Sequence, residues 1–112
     1  MGIDFSHGGA HWGYGGFYRF RQCVADEIGI NLDEMEGFGG TTPWKGIRDP
    51  ICFLLNHSDC DGHLTVKQCQ VVSPRLRELV AKWPDDYDRQ NALRLADGMD
   101  EAAKKGRPLE FC

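Results

Sequence analysis

The sequence predicts an all-α fold, a small bundle of four or five helices forming one domain over residues 1–112. Three observations lead there. The chain has 112 residues, the length of a single typical domain. Several stretches repeat apolar residues every three or four positions, the spacing that collects them on one helical face. None alternates apolar and polar residues long enough to read as a half-buried strand.

Each element follows in turn. Residues 1–16 hold six of the fourteen glycines and no periodicity, so residues 1–13 are expected to be an irregular arm rich in Gly and aromatics. A first helix begins near Tyr14, with Tyr14, Phe17, Phe20, Val24 and Ile28 on its core face and Gly29 as its stop. Residues 30–48 combine a short helical turn at 32–36 with a Gly-rich loop around Phe38. Asp49 and Pro50 open the next helix, because Asp caps free amides and Pro fills a first-turn position that needs no donor. It ends near Asn56. After a loop, Thr65 and Gln68 form a capping box for a helix whose stripe is Cys69, Val72, Leu76, Leu79, Val80 and Trp83. Pro74 interrupts that stripe and predicts a kink or a restart at Ser73. Residues 49–83 thus form a helix–loop–helix. Pro84, Asp85 and Asp86 start a last helix with Ala92, Leu95, Ala96, Met99 and Ala103 on one face, closed by Gly106 and Pro108. Leu109 and Phe111 in the tail either pack back onto the helices or fray.

Composition narrows the function. Thirteen Lys and Arg against seventeen Asp and Glu give a formal net charge of -4, which offers no general attraction for duplex nucleic acid or an anionic membrane. The longest apolar run, residues 51–55, is far too short to span a bilayer. Cys23, Cys52, Cys60, Cys69 and Cys112 are odd in number and lack the spacing of a disulfide scaffold. With no basic-then-apolar leader either, a cytoplasmic setting with free thiols is expected. Catalytic patterns are thin. His7, His11, Asp59 and Cys60 follow no nucleophile signature, and the clusters at Gly13–Gly16 and Gly37–Gly40 match neither phosphate-loop order. No catalytic residue is assigned.

Residues 57–68, HSDCDGHLTVKQ, lie between two expected helices. The segment resembles an EF-hand loop, whose oxygen ligands fall at positions one, three, five, seven, nine and twelve around a glycine at six. Aligned on Gly62, the resemblance implies a cation held by His57, Asp59, Asp61, Thr65 and Gln68. His57 replaces the usual Asp at position one, and Gln68 the bidentate Glu at twelve. Calcium prefers hard anionic oxygens, so a site with two carboxylates is expected to be weak, with a dissociation constant on the order of 1 mM or above. His57, Cys60, His63 and Cys69 compose the alternative of a zinc site, without the paired knuckles such sites carry. The third reading needs no cofactor: Asp59, Asp61 and Gly62 make a tight turn between helices.

Taken with the PRLREL stretch, the arm AHWGYGGFYRFR and the HSDCDG motif make the chain similar to small uncharacterised proteins of actinobacteria and their phages. That likeness implies a phage or bacterial accessory protein. Residues 11–21 carry five aromatics and two arginines, types enriched at binding hot spots. If one face of the first helix serves the core, Trp12, Tyr18, Arg19 and Arg21 are left for a partner. The expected function is binding another macromolecule, most plausibly a host protein, with a metal-binding module or metal-dependent enzyme centred on residues 57–69 as the alternative.

Overall fold

A computed structural model describes residues 2–59 and 61–112. In chain order its elements are strand β1 (Gly2–Asp4), strand β2 (His11–Gly13), helix α1 (Tyr14–Glu27), a 3-10 turn (Leu32–Glu34), helix α2 (Cys52–Leu55), strand β3 (His63–Leu64), helix α3 (Val66–Val80), helix α4 (Tyr87–Lys104) and strand β4 (Leu109–Glu110). Helices dominate. The all-α expectation is nevertheless corrected by two small antiparallel sheets, β1 with β2 and β3 with β4.

Local chemistry sets the helix ends. Gly29 adopts φ +76° just past α1, while the Ile30 amide reaches back to the Ala25 carbonyl at 3.0 Å. A left-handed residue there satisfies otherwise orphaned carbonyls, and glycine takes it without a Cβ penalty. Thr65 and Gln68 form the capping box of α3, and the Asp86 side chain accepts from the Arg89 amide to cap α4. Instead of kinking apart, α3 continues through Pro74, which lies on its exposed side. The buried stripe of Cys69, Val72, Leu76, Leu79 and Val80 packs against Ala92, Leu95, Ala96, Met99 and Ala102 of α4. Tertiary burial of this stripe outweighs the single backbone bond that proline removes.

The N-terminal segment is ordered, not irregular. Ile3, Phe5 and Trp12 are buried, with Trp12 stacked on Phe20 at a ring distance of 4.5 Å and Phe5 edge-on to both Trp12 and Phe17. Trp12 therefore caps the aromatic core over α1, and Tyr14, expected inside, remains exposed. Long-range bonds hold the hairpin on α4: the His11 carbonyl accepts from Asn91 Nδ2 and from the Tyr87 hydroxyl, each at 2.6 Å, and Trp12 Nε1 donates to Asp88 at 3.0 Å. Gly8, at φ +91°, lies so flat on α4 that a Cβ on Gly98 would fall 2.2 Å from the His7 carbonyl oxygen.

The tail completes the fold. Leu109 and Phe111 are buried, and the segment threads between the N-terminal strand and the 57–68 loop. Ser6 donates its amide to Glu110 at 3.0 Å, Cys112 to Asp4 at 2.8 Å and Phe111 to Gly62 at 2.9 Å.

Candidate functional site

Of the four residues expected to face a partner, two belong to the core. Trp12 is 1% exposed and Arg21 is 2% exposed. The reason for Arg21 is register: it stands four residues after Phe17 and three before Val24, at the centre of the apolar stripe of α1. Its Nη1 donates to the carbonyls of His57 at 2.6 Å and Leu55 at 3.2 Å, and its guanidinium lies over the Phe17 ring at 4.6 Å and the Phe38 ring at 5.2 Å. Burial lowers the Arg21 pKa, while Asp59 and then Tyr18 partly restore it. Tyr18 is half-buried, and its hydroxyl donates to Asp33, which raises the phenol's pKa. Arg19 alone of the four is exposed.

The 57–68 loop makes its turn as the spacing implies, with Gly62 at φ +88°. Three of the five candidate cation ligands, His57, Thr65 and Gln68, are engaged within the loop. The two ring nitrogens of His57 stand 2.9 Å from the Ser58 carbonyl oxygen and 3.0 Å from that of His63. The imidazole of position one thus links the carbonyls of positions two and seven, and a Cβ on Gly62 would meet it at 3.2 Å. Phe111 stacks on the same ring at 3.9 Å. Thr65 Oγ1 accepts from the Gln68 amide and Gln68 Oε1 from the Thr65 amide, so both side chains serve the α3 cap. Asp61 is exposed and Asp59 half-buried. From the zinc set, His63 is exposed on β3, Cys69 is fully buried, and Cys60 lies outside the described residues. Among the described residues, no three His, Cys, Asp or Glu side chains converge as a metal site.

Two further grooves lie at the surface. A groove of about 350 Å³ runs between residues 47–53 and α3, lined by Ile47, Pro50, Cys52, Phe53 and Val71, with Arg48 and Asp49 at its polar side. Phe53 and Val71 are 46% and 44% exposed. A one-turn helix cannot bury every residue of the apolar run ICFLL, and Val71 falls beside the stripe that Val72 occupies, so the sequence did hold a signal. Asp49 is tied off: Arg75 grips it side-on, through Nε at 3.1 Å to each oxygen and Nη2 at 2.8 Å to Oδ2, which lowers the carboxyl pKa. Lys67 is exposed one turn before Val71 on α3.

A second groove is lined by Cys23, Asp26, Glu27, Trp83, Asp86 and Asp88. Trp83 Nε1 donates to Glu27 at 2.9 Å there. Desolvation, followed by the charges of Asp88 and Asp26, raises the Cys23 thiol pKa, so this cysteine is held in its less nucleophilic form.

Compared with known proteins, the chain matches no family model, no curated protein and no solved structure. No described helix is long and apolar enough to cross a membrane.

Proposed function

We propose that the chain is a small cytoplasmic accessory protein of a bacterium or its phage that acts by binding a host protein, and that it binds through the groove between residues 47–53 and α3. The observation that carries this reading is the pair Phe53 and Val71, two large apolar side chains left 46% and 44% exposed in one concave surface. Contiguous exposed apolar area of this kind costs solubility in isolation and is recovered when a partner covers it. Neutralisation of Asp49 by Arg75 leaves Arg48, among the described residues, as the groove-lining charge without an ion-pair partner, with exposed Lys67 one turn before Val71 on α3. The matching partner is a protein segment that inserts an apolar side chain and carries Asp or Glu beside it.

Placing a photocrosslinking amino acid at position 53, and separately at exposed Gln90 as a control, tests this in host lysate. One crosslinked protein is expected from position 53, lost when Val71→Ser is added and weakened by salt. Equal crosslinking from position 90, or a product indifferent to Val71→Ser, rejects the groove as the binding surface.

A further inference from the structure

We propose that the cleft beside Arg21 is a binding site for a small monocarboxylate with a flat apolar body, gripped by the side-on edge of the Arg21 guanidinium. The cleft measures about 310 Å³ and is lined by Tyr18, Arg21, Gly37, Phe38, His57, Ser58 and Asp59, within the size range of small-molecule sites.

Arg21 carries a buried donor that nothing among the described residues accepts from. Arg21 is 2% exposed, yet among the described residues no carboxylate forms an ion pair with it. Among the described residues its two hydrogen bonds both leave from Nη1 and end on neutral carbonyls, while the buried Nε has no hydrogen-bond partner there. A buried donor of this kind is costly unless something accepts from it. Arg75 shows what is missing: there the Nε and Nη2 edge holds Asp49 bidentately, the geometry in which guanidinium and carboxylate match best. In Arg21 the corresponding edge has no carboxylate.

The walls define the rest of the ligand. The guanidinium lies over the Phe17 and Phe38 rings at 4.6 and 5.2 Å, which leaves its edge for an acceptor. Phe38 and Tyr18, with ring centroids 6.2 Å apart, offer apolar surface to a planar body. Asp59 in the same wall selects against higher charge. One guanidinium and one carboxylate sum to zero, so a monoanion leaves a single excess negative charge where a phosphate dianion leaves two, without a second permanent cation to offset them. Phe38, carried between Gly37 at φ +86° and Gly39 at φ +94°, is the ring that gives way on binding.

Benzoate is the probe. In isotope-labelled protein, the Nε–H resonance of Arg21, assigned through its own side-chain carbons, is expected to shift saturably with benzoate while those of Arg75 and Arg77 stay. Asp59→Asn, a change in a loop, is expected to tighten binding about threefold or more by removing the opposing charge. Arg21→Lys, which keeps the charge but lacks the fork, should abolish it; should that variant not fold, Phe38→Ala, which uncovers the guanidinium, is expected to speed association. Inorganic phosphate at matched ionic strength should leave the resonance in place. The proposal fails if benzoate leaves Arg21 unmoved in both wild type and Asp59→Asn, if only other arginines respond, or if phosphate binds equally well.

Discussion

In the α3–α4 hairpin each helix carries its own instructions: an apolar stripe, a capping residue and a six-residue connection at 81–86 that makes the two helices neighbours. The β1–β2 hairpin carries almost none. It is fixed from outside, by Tyr87, Asp88 and Asn91 of α4 on His11 and Trp12, by Gly98 beneath His7 and Gly8, and by the tail strand at Asp4 and Ser6. The contrast teaches that aromatic content says little about exposure when the deciding partners lie some 80 residues away. An aromatic-basic arm and a core-forming arm have the same composition.

Three substitutions put that contrast under strain. Trp12→Ala should be the most damaging, costing about 3–5 kcal/mol in urea unfolding, because it empties the stack over Phe20 and strips Asp88 of its donor. A loss below about 0.5 kcal/mol would return Trp12 to the surface. Gly98→Ala comes next. In a free helix this change stabilises by about 1 kcal/mol, but here the new methyl meets the His7 carbonyl at 2.2 Å, so a net destabilisation of about 2 kcal/mol is expected from overpacking. A gain in thermal midpoint would show that the N-terminal turn lifts off α4 freely. Arg77→Ala should matter least. Its bonds to Asp97 and Asp100, at 2.6 and 2.8 Å, bridge α3 and α4 at the surface with all three side chains more than a third exposed, so a change under about 1 kcal/mol that shrinks further in salt is expected. A larger, salt-insensitive loss would mean that this hairpin also depends on specific long-range pairing.

Legibility followed the same division. The four helices, the Gly29 and Gly106 stops, the Thr65 box and the Asp86 cap were readable because each rests on residues within one or two turns of chain. The strands were not. β3 and β4 contain two residues each and β1 and β2 three, too few for alternation to register, and their partners are distant in sequence. The burial of Arg21 was hidden for a different reason. Its position on the apolar stripe is visible in the spacing, but its charge points to exposure, whereas a guanidinium can be buried over Phe rings with carbonyls at its tip. The turn at Gly62 was legible from the DxDG pattern, but the placing of the His57 ring across the loop was not, since it depends on Phe111 stacking from the tail.

That tail strand has a consequence in time. Phe111 and its neighbours seal both the N-terminal hairpin and the 57–68 loop, yet they leave the ribosome roughly 100 residues after Ile3 and Phe5. At ordinary synthesis rates the interval is on the order of 5 to 20 s. For most of it Ile3, Phe5 and Trp12 wait without α4, and to its end without the tail, so the N-terminal hairpin closes only after the rest of the fold has been made.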